Sequence, residues 1–173
     1  MTIQIDHMSL NVEDFEKAKA FYAAALAPLR IKVLMEFPMD NGVKIMGLGP
    51  DGKPFLWIAG GQRSTPRVHI AFSAESRDQV DAFYQAAMAA GATDNGPPGL
   101  RPHYHKTYYA AFVLDPEGHN IEAVTHAPAK AARRASASKR KVAAKPARSG
   151  KKTAKAAKAA KAKPRAKKAK KKK

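Results

Sequence analysis

Two short stretches decide the fold of this chain: IDHMSLN at residues 5–11 and RVHIAFS at residues 67–73. They align without a gap, so His7 and His69 hold equivalent positions. The repeat continues, because AFY occurs at both 20–22 and 82–84, and Pro-acid-Gly turns occur at both 50–52 and 116–118. Self-similarity at a fixed period indicates a duplicated structural unit.

Charge divides the chain into two segments. Residues 1–126 contain 11 Lys or Arg and 14 Asp or Glu, and every Trp, Tyr and Phe. Residues 127–173 contain 21 Lys or Arg, no acid and almost no apolar residue larger than alanine. We therefore predict one folded domain over 1–126, with repeat units of about 1–62 and 63–126. Residues 127–173 are predicted to be a disordered basic tail.

Cysteine is absent, which excludes disulfides and thiolate metal ligands. No apolar run approaches the length of a membrane span or a secretion signal. We therefore expect a cytoplasmic protein, with nucleoid association as a possibility raised by the tail.

Hydrophobic periodicity predicts the order β-α-β-β-β in each unit, an α+β fold. In the first unit, period-two alternation at 3–10 precedes Asn11 as a helix cap, and helical spacing then continues to Pro28. In the second unit, Ser73 is the expected cap and the helix ends near Gly91. Further strands are predicted at 31–37, 43–48, 54–59, 68–72, around Ala92, at 108–114 and at 120–125.

Strand alternation predicts which way the candidate ligands point. Met8, Leu10 and Val12, like Val68, Ile70 and Phe72, are the natural core positions, so His7 and His69 face the other side. Ile121 and Ala123 are apolar, which places Glu122 on the face away from the core. If the strands form one curved mixed sheet, these two imidazoles and one carboxylate converge. Such a set suits iron(II), manganese(II), nickel or zinc with open coordination positions.

Three motifs carry a family resemblance: DHMSLNVEDF at 6–15, KAFY at 19–22 and LDPEGHNIEAV at 114–124. Together with the duplicated order of elements, they resemble the glyoxalase and bleomycin-resistance branch of the vicinal oxygen chelate superfamily. The resemblance covers residues 1 to about 126. It implies a homodimer and a divalent metal held by His7, His69 and Glu122.

The resemblance leaves the reaction open. The leading expectation is metal-dependent lyase or isomerase chemistry, like that of lactoylglutathione lyase, or transferase chemistry on a small oxygen-chelating substrate. Alternatives are an extradiol-type ring-cleaving dioxygenase, a non-catalytic protein that sequesters a ligand as bleomycin-resistance proteins do, and a DNA-binding nucleoid-associated protein.

Two departures from the family's patterns bear on that choice. Glyoxalase I carries a fourth metal ligand, a glutamate, where this chain aligns Leu56 or Trp57, neither of which binds a metal. Ring-cleaving dioxygenases tend to carry histidine and tyrosine where this chain has Ala110 and Phe112. A three-ligand site therefore looks more like that of the fosfomycin transferases.

Several residues are candidates for work beside the metal. The segment LRPHYHK at 100–106 supplies His103 and His105 as candidate general bases and Arg101 as an anion-binding group. Trp57 is a candidate apolar wall. Ser9 and Tyr108 share the parity of the inward face and are predicted to contact the substrate.

The tail from residue 127 to 173 resembles the Lys/Ala-rich tails of linker histones. Dense positive charge predicts sequence-independent, salt-dependent binding to nucleic acid, since each phosphate contact releases a counterion. Base specificity is not expected, because no aromatic or reading residue sits on a fixed scaffold. Other polyanions, such as acidic membrane surfaces, would attract the same charge.

Overall fold

The computed structural model describes residues 5–129 of the chain. In order, its elements are β1 (Met8–Asn11), α1 (Phe15–Leu26), a 3₁₀ turn (Ala27–Leu29), β2 (Lys32–Pro38), β3 (Lys44–Gly49), β4 (Leu56–Ala59), β5 (His69–Ser73), α2 (Arg77–Ala89), β6 (Thr93–Leu100), β7 (Tyr109–Leu114) and β8 (Asn120–Thr125). The predicted α+β class and the duplicated β-α-β-β-β order are confirmed.

Each unit folds its four strands into one mixed sheet. The strand orders are β1-β4-β3-β2 and β5-β8-β7-β6, so β1 and β5 are edge strands. In each sheet the first and last strands of the unit run parallel, and the other pairs are antiparallel. This parallel pairing places Ala71 opposite Glu122 and Ser9 opposite Trp57. Residues from the two ends of a unit therefore become neighbours.

Both helices begin later than their predicted caps. Asp14 caps α1 and Ser76 caps α2, each accepting a backbone hydrogen bond from the first turn, at 3.0 and 3.3 Å. Asn11 and Ser73 are instead the last residues of β1 and β5, where they pair with the neighbouring strand. Asn, Asp and Ser cap helices with similar preference, so local sequence did not separate the candidates.

The strand β6 is longer than expected. It runs through Gly96-Pro97-Pro98-Gly99, with irregular register against β7 between Asp94 and Gly96 and again between Gly96 and Gly99. Proline donates no backbone hydrogen bond, so a segment of this kind is tolerated at a sheet edge and beside bulges. Asn95 and Gly96, at this irregular edge, line a cavity of the second unit.

The predicted core faces of β1 and β5 are confirmed. Leu10, Val12, Ile70 and Phe72 are buried, in a continuous core that includes the inner faces of both helices. Each such side chain contributes about 1.5–3 kcal/mol when fully buried. The opposite faces of β1 and β5 are exposed, and they carry Ser9 and His69.

The turn between β7 and β8 forms hydrogen bonds with α1 and with the backbone just before it. The Tyr22 hydroxyl in α1 donates to Asp115 Oδ2 at 2.7 Å, and both residues are buried. Asp115 Oδ1 accepts from the backbone N–H groups of Glu117 and His119, at 2.9 and 2.8 Å. Glu117 Oε1 in turn accepts from the backbone before α1, including Asp14 N at 3.0 Å. The two units are therefore joined by buried polar contacts as well as by apolar packing.

The structure leaves some expectations untested. Nearly all of the predicted tail lies outside residues 5–129, so its character and the boundary at residue 126 remain predictions. Within the described range, neither helix has the length and apolar character needed to cross a membrane. The cytoplasmic location also remains a prediction.

Candidate metal and ligand site

His69 and Glu122 form the centre of the site. His69 Nε2 lies 2.9 Å from Glu122 Oε2, although the two residues are 53 positions apart. The pairing of β5 with β8 explains the contact, because His69 lies opposite Asn120 and therefore shares a face with Glu122, two residues along. The Glu122 side chain is 2% exposed and that of His69 is 52% exposed, so the pair has a buried end and an open end.

Tyr108 holds the other carboxylate oxygen. Its hydroxyl donates to Glu122 Oε1 at 2.6 Å. Burial of the phenol, and then the hydrogen bond to Glu122 and the charge of that carboxylate, raise the pKa of Tyr108 to about 12. The hydroxyl therefore stays protonated near neutral pH and remains a donor. Both oxygens of a buried carboxylate are thus engaged, as the cost of burying a charge requires.

A cavity of about 380 Å³ opens beside His69. Its lining residues come from β5, β6, β7, β8 and the loop before β7: His69, Asn95, Gly96, Arg101, His103, Tyr104, Phe112 and Asn120. A larger cavity of about 560 Å³ lies at the start of α1 and contains none of the predicted site residues. We place the candidate site in the smaller cavity because His69 and the candidate base His103 both line it.

The loop before β7 brings a cluster of rings to the site. The Tyr104 ring packs at a tilt against the His103 ring and edge-on against the Tyr108 ring, with centroids 4.2 and 5.2 Å away. His105 is directed elsewhere, since its Nδ1 lies 3.0 Å from Thr107 Oγ1 and it does not line the cavity. Of the two predicted bases, His103 is therefore the one that borders the cavity beside His69.

The remaining predicted residues lie on the first sheet. His7 is exposed, and its Nδ1 lies 2.8 Å from Asp6 Oδ1. The hydrogen bond with His7, followed by contact with Lys53, lowers the pKa of Asp6. Ser9 is exposed and stands opposite the half-buried Trp57, whose ring lies 6.2 Å from that of Phe37. None of these residues lines the cavity beside His69, so their predicted contacts with a substrate remain predictions.

Within residues 5–129, no three His, Asp or Glu side chains are gathered as a metal site. His69 and Glu122 are together, whereas His7 does not join them in the same chain. The three-ligand set accordingly remains a prediction.

Five residues that line the cavity were missed by sequence reasoning: Asn95, Gly96, Tyr104, Phe112 and Asn120. Phe112 pairs with Glu122 across the strands, so strand alternation alone would have found it. Asn95 sits where the register of β6 shifts, and alternation does not predict the direction of a residue in a bulge.

Comparison with known proteins identifies the family. Residues 4–123 match the model of the Glyoxalase/Bleomycin resistance protein/Dioxygenase superfamily. The chain belongs to this superfamily. No curated protein matches the sequence of this superfamily member.

Solved structures of the superfamily share its fold. A glyoxalase/bleomycin resistance protein from Albidiferax ferrireducens is 28% identical, with a TM-score of 0.56 over 69% of this chain and 97% of that one. The fosfomycin resistance protein FosX from Listeria monocytogenes, solved with Mn(II) and sulfate, is 19% identical, with a TM-score of 0.53 over 72% and 93%. A glyoxalase I mutant from Zea mays is 21% identical, with a TM-score of 0.55 over 69% of this chain and 46% of that one.

Proposed function

We propose that this superfamily member is a metal-dependent enzyme acting on a small oxygen-chelating substrate by lyase, isomerase or transferase chemistry. The observation that carries the proposal is the contact of His69 Nε2 with Glu122 Oε2 at 2.9 Å beside an open cavity. Imidazole nitrogen and carboxylate oxygen are ligand types that divalent metals take, and the pairing of β5 with β8 brings one of each together.

Contacts behind the donor atoms support the same conclusion. Tyr108 fixes Oε1 of Glu122 and leaves Oε2 toward His69. Nδ1 of His7 is hydrogen-bonded to Asp6 Oδ1, which leaves Nε2 of His7 as the ligand atom. Metal-binding histidines and carboxylates are held by such partners in general.

The third ligand, on this proposal, is His7 of a second copy of the chain. His69 lies on the exposed face of the edge strand β5, the exposed His7 immediately precedes the edge strand β1, and residues 5–129 of one chain do not unite them. A two-fold axis that brings β1 of one copy to β5 of the other creates two equivalent sites. We therefore propose a homodimer, with Ser9 and Trp57 of the first sheet forming the opposite wall of each cavity.

His69, Glu122 and His7 of a second copy would hold a divalent ion of the group manganese(II), iron(II), nickel or zinc, which would supply Lewis-acid stabilisation of negative charge on a substrate oxygen. The residues of the chain supply the rest. His103 borders the cavity and is assigned removal of a proton from the carbon beside that oxygen. Tyr108 keeps its own proton and holds Glu122 in place.

Turnover tests the enzymatic part of the proposal. The metal-loaded full chain is assayed with 2-oxoaldehyde adducts of glutathione and with fosfomycin, beside His69→Ala and the control Glu75→Gln, an exposed residue outside the cavity lining. Turnover that His69→Ala abolishes and Glu75→Gln retains is the expected result. Stoichiometric ligand binding without turnover in every variant contradicts it.

That second outcome would establish the alternative of a ligand-sequestering protein. The observation that favours it is that residues 5–129 of one chain unite two candidate ligands rather than three. The ring-cleaving dioxygenase alternative has weaker support, because Ala110 is buried and Phe112 offers no polar group.

We also propose that residues 127–173 bind nucleic acid without sequence preference. The support is compositional: 21 Lys or Arg and no acid. Retention of the full chain on duplex DNA should fall steeply as salt rises, and a chain ending at residue 129 should lose it. Equal retention of both chains would refute a role for the tail, and equal retention by heparin would indicate a general polyanion site.

A further inference from the structure

Arg101 occupies an unusual position in the cavity beside His69. Its Nη2 donates to the Pro97 carbonyl at 2.7 Å, and its guanidinium lies 5.5 Å from the centre of the Phe112 ring. No carboxylate among residues 5–129 forms an ion pair with it. An arginine that is held in place yet lacks an anionic partner is available to bind one.

Two glycines make room for this guanidinium. A Cβ at Gly99 would lie 2.8 Å from Arg101 Nη1, and a Cβ at Gly96 would lie 3.4 Å from Arg101 Nη2 and 3.1 Å from Phe112. Any larger residue at position 99 would therefore displace the guanidinium. The guanidinium of Arg101 thus packs closely against the backbone of the Gly-Pro-Pro-Gly segment at 96–99.

Arg101 and the two asparagines of the cavity lining have hydrogen-bonding groups left over for a small polar ligand. Arginine has five N–H donors, and apart from the Pro97 bond those of Arg101 make only a long 3.4 Å contact, with the Leu100 carbonyl, among residues 5–129. On the same cavity lining, Asn95 Nδ2 donates to Asn120 Oδ1 at 3.1 Å. That bond leaves the other amide donors and acceptors of the pair for a ligand.

His69 and Arg101 line the same cavity, and both lie beside Phe112. The Phe112 ring lies 6.3 Å from the His69 ring and also packs against the guanidinium. We propose that Arg101 binds a terminal oxyanion of the substrate, a carboxylate or a phosphonate, while a hydroxyl or carbonyl oxygen of the same molecule faces His69. The substrate class is therefore a small hydroxy or oxo acid, or the corresponding phosphonate. This inference deepens the proposed function and rests on it for the orientation of the substrate.

The test is a titration of the ¹⁵N-labelled full chain with glycolate, with methylphosphonate and with neutral ethylene glycol, with and without Mn²⁺. We expect saturable shifts of the Arg101 side-chain signal and of the Gly96 and Gly99 amides with one or both anions, and none with ethylene glycol. Arg101→Gln should weaken anion binding by at least about tenfold, the effect of losing a charge-assisted hydrogen bond. Gly99→Ala should weaken it by displacing the same group.

Lys106→Gln is the matched control, because it removes one positive charge from the same loop but outside the cavity lining. It should bind the anion as the wild type does. Arg101→Lys, which keeps the charge and loses the planar fork, should give an intermediate affinity. The result for glycolate against methylphosphonate decides between carboxylate and phosphonate.

Equal anion affinity in Arg101→Gln and Lys106→Gln, or no saturable shift in the wild type, would overturn the inference. The metal proposal is judged separately, since Arg101→Gln should leave Mn²⁺ affinity unchanged and His69→Ala should abolish it. Anion binding without Mn²⁺ binding would sink the metalloenzyme while leaving Arg101 as an anion site.

Discussion

Glu122 illustrates how far a single residue can be interpreted from sequence. Alternation with the buried Ile121 and Ala123 correctly separates its side chain from theirs, and the repeat correctly matches that face with the face of His69. Tyr108 was likewise placed on the inward face by parity, and it contacts Glu122. Asn95 was beyond prediction, because the irregular register of β6 breaks the alternation on which such reasoning depends.

Removal of the Tyr108 hydroxyl tests its role in holding Glu122. Tyr108→Phe leaves Glu122 Oε1 without its 2.6 Å donor, so the carboxylate gains freedom to move or to bind a metal through both oxygens. Loss of a partner behind a metal ligand lowers affinity about 10- to 100-fold. We expect a weakening in that range for Mn²⁺, measured by calorimetry beside Tyr104→Phe. Unchanged affinity in Tyr108→Phe would mean that the hydroxyl has no part in the metal site.

Alkaline titration checks the state of the same hydroxyl. The pKa of Tyr108 is raised to about 12, so the folded state holds this proton more tightly than the unfolded state does. The resulting stabilisation is fully present below the ordinary tyrosine pKa of about 10 and is lost as pH rises through 12. A difference spectrum of wild type minus Tyr108→Phe should therefore show phenolate appearing near pH 12. Its appearance near pH 10 would contradict the buried hydrogen bond.

At the scale of elements, the turn between β7 and β8 has a role that the sequence did not reveal. The Pro-Glu-Gly turn at 116–118 was correctly identified as a turn and as part of the family resemblance. Its contact with α1 joins residues 93 positions apart, and periodicity within one element contains no information about such a contact. Tyr22 therefore contributes a polar bond as well as buried helix packing.

The strength of this junction is measurable. Tyr22→Phe removes the buried hydrogen bond to Asp115, leaving one carboxylate oxygen without a donor. Loss of a buried partner costs about 1–3 kcal/mol. Urea unfolding of the full chain should show that decrease in the free energy of unfolding. The repeat supplies the control, because Tyr84 is less buried, and Tyr84→Phe should cost less. Equal stability of Tyr22→Phe and wild type would show that this hydrogen bond does not strengthen the junction.

At the scale of the whole molecule, sequence reasoning predicted the faces of the sheets but not their placement relative to each other. It correctly put His7 and His69 on the faces opposite the core. Their convergence depends on how the edge strands β1 and β5 meet, and strand periodicity does not determine that. The structure keeps His7 with Asp6, away from Glu122, which is why the proposed site draws on two copies.

Mixed dimers test the shared site. A chain with His7→Ala and a chain with Glu122→Ala should each bind no metal as homodimers. Coexpression forms mixed dimers in which one of the two sites keeps all its ligands, so metal capacity should return to about a quarter of the wild-type value. A site built within one chain gives no recovery, because every such site then carries one of the two substitutions.

Metal binding itself is the most direct test of the metal centre. The full chain, purified without chelator, is measured for metal content and for Mn²⁺ and Zn²⁺ affinity by calorimetry, beside the double variant His69→Ala/Glu122→Ala. The control is Asp40→Asn/Glu75→Gln, which removes two exposed carboxylates that do not line the cavity. Near-stoichiometric metal in the wild type and the control, lost in the His69/Glu122 variant, is the predicted result. An empty wild type without micromolar affinity, or equal binding by all three chains, would contradict a metal centre at His69 and Glu122.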